Sequence, residues 1–211
     1  MTDPTPAERL RAFWNERFAG EAFAYGTEPN DCLVAHAGAI TPGLPALCLA
    51  DGEGRNGVWL ARQGAAVTSM DLADAGLAKA QRLAAQHGVA IRNVRADVTT
   101  ADLGHARWGL VVSIFLHLPA GQRRALHQRC ADALAPGGRF VFEAYGPGQL
   151  ALGTGGPKDI ALLPTLAEVE ADFAGRDDLT VRHRFHGRRP VIEGPLHHGD
   201  GEVVQLVLQK R

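Results

Sequence analysis

The chain has 211 residues, of which 45% are hydrophobic and 21% charged, and its formal net charge is −1. That length suits one well-buried α/β domain and is marginal for two. The near-zero charge supplies no global field for nucleic acid or a membrane surface, and no apolar run approaches the roughly 20 residues that span a bilayer.

The start, MTDPTPAERLRAFW, carries acid and proline where a signal peptide has basic and apolar blocks. Cys32, Cys48 and Cys130 show no CxxC spacing, so reduced thiols and a cytoplasmic location are expected. Thr5, Pro6 and Glu8 spell a capping box with proline at the first helical position. Leu10, Phe13, Trp14 and Phe18 follow at helical spacing, which predicts an apolar cover laid on another element. A loop around Gly26 and Pro29 leads into a short helix.

From Ala46 the pattern alternates. ALCLA, AVTSMD, AIRNVRAD, WGLVVSIF and RFVFEAY read as strands, the first three separated by helices that close at Gly64 and Gly88. AGQRRALHQRCADALAPGG reads as a helix stopped by Pro136 and two glycines. Such alternation implies βαβ units in a doubly wound, mostly parallel α/β sheet. After a Gly/Pro-rich loop and a helix near LPTLAEVEADFAG come LTVRHRFHGRR and EVVQLVLQK. No crossover helix lies between these two, so they can pair antiparallel and bring the sheet to seven strands. One domain is expected: an N-terminal helical lid over 1–45, a core over 46–145 and a C-terminal helix and strand pair over 146–211.

Ligands of open α/β sheets bind beyond the carboxyl ends of the strands, at the switch point beside the first. That rule selects Ala50, Asp51, Gly52, Glu53 and Gly54 after the first strand, Asp71 after the second, and Asp97 with Val98 after the third. Asp71 suits the two hydroxyls of a ribose, and Asp97 an adenine amino group. Glu53 inside the turn argues against a pyrophosphate at the helix N-terminus, whereas acids there suit a cationic ligand. The antiparallel tail also departs from a dinucleotide fold.

These residues, with VVSIFLHLP, ALAPGGRFVFEAY and the final strand pair, give a chain that resembles the class I S-adenosylmethionine-dependent methyltransferases over nearly its whole length. YGTEPNDCL and TGGP are similar to the small tellurite-resistance and thiopurine methyltransferase-like branch. The resemblance implies a Rossmann-like fold with S-adenosyl-L-methionine as cofactor. By it Ala50, Gly52 and Gly54 hold the methionyl part, Asp71 the ribose, and Asp97 with Val98 the adenine. Ser113 and Phe115 line the cofactor; Asn56, Leu72 and Tyr25 complete its surroundings, Tyr25 from the lid. The chain departs from the family at Ala50, the first of three usual glycines, and at Cys48, where an acid is common.

Methyl transfer needs a nucleophile held near the methyl carbon, water excluded, and for some acceptors a base. His117, Glu143, Tyr145 and His197 are the catalytic candidates, and no metal is expected. Arg182, Arg184, Arg188 and Arg189 read first as a solvated strand face and second as an anion-attracting rim. The expected reaction is methyl transfer to a small-molecule nucleophile such as a thiol or chalcogen oxyanion, without nucleic acid or membrane partners. An NAD-dependent oxidoreductase and a non-catalytic adenosyl-binding protein are the alternatives.

Overall fold

The computed structural model describes residues 3–211. Its elements run α1 (Pro6–Arg17), α2 (Asp31–His36), β1 (Pro45–Leu49), α3 (Arg55–Arg62), β2 (Ala66–Asp71), α4 (Asp74–Gln86), β3 (Arg92–Arg95), β4 (Trp108–Ile114), α5 (Ala120–Ala133), β5 (Leu134–Tyr145), α6 (Leu166–Ala171), β6 (Leu179–Ile192) and β7 (His198–Lys210). One seven-stranded sheet takes the order β3-β2-β1-β4-β5-β7-β6. β1 to β5 run parallel, with β3 at one edge, and β7 joins β5 and β6 antiparallel. The order reverses between β1 and β4, which places the switch point at their carboxyl ends.

Strand alternation builds a core on both faces of the sheet. Leu47, Leu49, Val111, Phe140 and Phe142 enter one apolar layer, whereas Ala46, Cys48, Leu110, Val112 and Val141 enter the other. Phe140 and Phe142 are fully buried, and each contributes about 2–3 kcal/mol by leaving water.

Three expectations need adjusting. α5 ends at Ala133 and β5 begins at Leu134, before Pro136 rather than after it. A Cβ on Gly138 would lie 2.6 Å from the Trp108 carbonyl oxygen, so backbone approach beside the β4 register shift needs a glycine inside this strand. The capping box of α1 is present, yet of its apolar face Phe18 alone is buried and Trp14 half-buried. Leu10 and Phe13 remain exposed, Phe13 beneath the Arg17 guanidinium at 5.1 Å. The tail strands extend toward each other through much of the predicted loop, leaving a tight turn over residues 193–197.

Candidate active site

β1 opens into the turn at Ala50, which takes φ +48°, a left-handed conformation. That conformation costs a Cβ-bearing residue roughly 1 kcal/mol. Ala50→Gly is therefore expected to stabilise the fold by about 0.5–1 kcal/mol, a rise of roughly 2 °C in thermal midpoint. A midpoint unchanged or lower would refute the strain. Gly54 is also left-handed, and a Cβ there would sit 2.5 Å from the Ala80 Cβ, so close packing of α3 on α4 demands it. At Gly52 a Cβ would come 3.1 Å from the Phe18 ring, which makes this glycine the seat of the N-terminal helix.

The acids of the turn divide their tasks. Asp71 accepts from the Gly52 amide at 2.8 Å and the Ala73 amide at 2.8 Å, fixing the turn to the end of β2 beside half-buried Leu72. Burial raises its pKa against the pull of these amides. Asp51 points inward, accepting from Ser69 Oγ at 2.9 Å and the Gly57 amide at 3.4 Å. Burial lifts it from 3.8 to about 7. The folded protein thus keeps a proton that the unfolded chain has released, so Asp51 makes stability fall as pH rises from about 4 through 7. Asp51→Asn is expected to flatten that segment of the stability–pH curve, measured by urea unfolding at pH 5 and 8. An unaltered slope would refute the assignment.

Glu53 is placed differently from expectation. Its Oε1 pairs with Lys79 Nζ at 2.7 Å, and its Oε2 accepts from the amides of Ala24 at 2.8 Å and Tyr25 at 3.3 Å. The carboxylate is spent tying the N-terminal segment to the turn. Glu53 therefore does not repel a pyrophosphate as expected, because Lys79 neutralises it. Asn56 likewise turns its Oδ1 to the Asn30 amide at 2.9 Å.

At the end of β3, Asp97 closes a local turn by accepting from Thr99 through Oδ1 at 2.7–2.8 Å. Its Oδ2 and the Val98 amide bond no group among the described residues. β4 contributes buried Ser113 and then Phe115, which leaves the strand at φ +53° with its amide donating 2.7 Å to the Glu143 carbonyl. A bulky residue held there costs about 1–3 kcal/mol and marks a locally over-determined site.

Behind this edge lies a buried ionic network that the sequence did not announce. Glu143 accepts from Asn30 Nδ2 at 2.7 Å, from Arg189 Nε at 3.1 Å and Nη2, and from Gln205 Nε2. Four donors fill the lone-pair sites of one carboxylate, so Glu143 anchors the fold. Glu193 takes Arg55 at 2.5 Å, Arg189 at 2.9 Å and Asn30 at 2.9 Å. Burial alone would raise the Glu193 pKa, but Arg55 and Arg189 outweigh it. Two guanidiniums balance two carboxylates inside the cluster, and exposed Asp31 approaches Arg189 from outside at 3.6 Å. The available signal was parity: Arg182, Arg184 and Arg188 share the exposed face of β6, and Arg189 points the other way.

Five predicted residues meet in front of that network. Tyr25 and His197 have ring centroids 4.6 Å apart; Phe115 lies 4.8 Å from His197 and 4.6 Å from Tyr145, and His117 stacks on Tyr145 at 5.9 Å. His117 Nε2, Tyr145 Oη and His197 Nδ1 are all shielded from solvent with no hydrogen-bond partner among the described residues. Burial lowers His117 to about 4 and His197 to about 3, and raises Tyr145, so all three are uncharged at neutral pH. The Gly155–Gly156 segment roofs Tyr145; a Cβ on Gly156 would lie 2.7 Å from the ring.

Residues 46–138 match the family model described as a methyltransferase domain. Over that span the chain is similar to a methyltransferase domain. No curated protein matches significantly. Among solved structures, the fold is similar to a protein studied for the conversion of a disulfide bond into a thioacetal group during echinomycin biosynthesis, at TM-score 0.75 and 19% identity, covering 98% of this chain and 92% of that one. TehB from Haemophilus influenzae aligns at TM-score 0.69 and 15% identity over 95% of this chain and 67% of its own. Magnesium protoporphyrin IX methyltransferase from Synechocystis PCC 6803, solved with bound S-adenosylhomocysteine, aligns at 0.66 and 17% over 97% and 99%. Magnesium protoporphyrin IX methyltransferase holds S-adenosylhomocysteine on this fold, and the donor set of the present chain fits an adenosyl group. Ribose hydroxyls need acceptors such as Asp71, and the uncommitted Asp97 Oδ2 and Val98 amide offer an acceptor and a donor to an adenine edge.

Proposed function

We propose that this methyltransferase alkylates a small uncharged nucleophile, with its cofactor in the turn and strand ends that run from Ala50 to Phe115. The observation that carries the reading is the adjacency of two things: carboxylates suited to an adenosyl group, and three buried polar atoms without partners. The bound cofactor supplies the activated methyl carbon. The chain's own residues hold the acceptor and exclude water. Residues 3–45 serve as a lid, latched through Glu53 to the amides of Ala24 and Tyr25.

The sequence suggested thiols or chalcogen oxyanions, and the likeness to TehB keeps the tellurite-resistance branch in view. An oxyanion would need a free cation. Arg55 is committed to Glu193 and Arg189 to both Glu143 and Glu193, while Arg17 donates to the Tyr25 hydroxyl at 3.4 Å. That balance favours an acceptor without charge. No helix among the described residues is long and apolar enough to cross a membrane, and we place the reaction in the cytoplasm.

Calorimetric titration with S-adenosylmethionine, S-adenosylhomocysteine and NADH tests the reading directly. Micromolar binding of the adenosyl pair without an NADH signal is expected. NADH binding alone would replace it with an oxidoreductase, a sharper contest now that Glu53 is neutralised. Adenosyl binding without turnover on any acceptor would leave a binding protein.

A further inference from the structure

The chamber of Phe115, His117, Tyr145 and His197 carries more than a general preference for uncharged ligands. His117 Nδ1 lies 3.1 Å from the Leu162 carbonyl oxygen. A carbonyl accepts and never donates, so Nδ1 bears the ring proton and Nε2 presents a lone pair. That lone pair is shielded from solvent and meets no donor among the described residues. Tyr145, protonated and wholly buried, lies against it with ring planes only 7° from parallel. Gly155 and Gly156 cover these rings: a Cβ on Gly155 would stand 3.2 Å from Tyr145 Oη and 3.0 Å from His197 Cδ2, and one on Gly156 2.7 Å from the Tyr145 ring. Flat aromatic rings and glycines without side chains thus surround the one acceptor atom whose tautomer is fixed.

Resting on the methyltransferase reading above, we propose that the acceptor is an uncharged aromatic hydroxyl compound, a phenol or hydroxyarene, whose O–H donates to His117 Nε2. A buried orphan acceptor is costly unless a ligand donor meets it. A phenolic O–H is such a donor, and its ring can pack on Phe115 and Tyr145 with centroids about 4.5–7 Å apart. An aryl thiol ionises near neutrality and would arrive as an anion without a proton to donate. In the reaction the phenolic oxygen forms its bond to the methyl carbon as the C–S bond breaks. That electron pair remains on sulfur as a neutral thioether. The O–H proton passes to His117 Nε2, so the positive charge leaves the sulfonium and appears on the imidazole. An imidazole this weakly basic then returns its proton to water.

The test uses 1-naphthol, naphthalene-1-thiol and tellurite as acceptors, with the intact protein and S-adenosylmethionine. Binding of S-adenosylhomocysteine is measured first by calorimetry. Formation of 1-methoxynaphthalene, with little transfer to the thiol or to tellurite, is expected. His117→Gln should lower kcat for 1-naphthol by about 100-fold, with KM and S-adenosylhomocysteine affinity within threefold. Across substituted phenols the variant's deficit should shrink as the phenol becomes more acidic, a trend that mere structural damage would not give. Cofactor binding with transfer to tellurite or the thiol, and none to naphthol, would overturn the acceptor class. A variant with unchanged kcat, or with an equal deficit for every phenol, would overturn the role of His117. Failure to bind S-adenosylhomocysteine at all would overturn the methyltransferase reading, and this inference with it.

Discussion

Asp71→Ala is expected to weaken S-adenosylhomocysteine binding by about 50-fold in calorimetry. Hydrogen bonds to a charged acceptor are worth about 1.5–3 kcal/mol each, and the buried carboxylate at the end of β2 is placed to receive two ribose hydroxyls. The same oxygens hold the amides of Gly52 and Ala73, so a lower thermal midpoint accompanies the loss. Asp71→Asn removes the charge and keeps one accepting oxygen for one of the two amides, so its midpoint should fall less than that of the alanine variant. An affinity for the alanine variant within twofold of wild type would move the ribose elsewhere.

The second large effect lies in the ionic network. Arg189→Met leaves Glu143 buried with only Asn30 and Gln205 as donors, whereas Glu193 keeps Arg55. Removing one partner from a buried pair costs about 3–5 kcal/mol, which for a chain of this size is a fall of roughly 10 °C or more in thermal midpoint. Glu143→Gln in the Arg189→Met background should recover much of the loss, since the orphaned charge disappears with it. A single variant within 1 kcal/mol of wild type would mean that water reaches Glu143 and that the cluster is not dry.

The parts of the fold readable in the sequence were those governed by short-range rules. The capping box at Thr5, the closing glycines Gly64 and Gly88 and the apolar strand runs each specify one element locally, and each element formed. The positions after the strands were legible for a related reason: topology alone sends Ala50, Asp71, Asp97 and Phe115 to one edge. What each side chain does there was less legible. Glu53, Asn56 and Glu143 were read as ligand or catalytic groups, yet their partners are Lys79, the Asn30 amide and Arg189. Those partners lie far away in the chain, and no local pattern carries a long-range ion pair. Arg55 and Glu193 were not singled out at all, since a charged residue at a helix start or a strand end is commonly solvated. Leu10 and Phe13 show the opposite failure: helical spacing fixes which residues share a face, but not whether anything packs against it.

The contact between the N-terminal segment and the tight turn joining β6 to β7 bears on how the protein is made. Asn30 and Glu193 meet across 163 residues of sequence, and a Cβ on Gly194 would lie only 2.3 Å from the Gly26 nitrogen. Such distant pairs raise contact order and form late. During synthesis the turn from Ala50 to Gly54 leaves the ribosome long before Arg189 and His197 exist to complete the chamber. A half-made chain thus has the segment that would hold the cofactor but no enclosure for an acceptor. The cluster is complete only once the β6–β7 hairpin has docked on β5 and on the N-terminal segment.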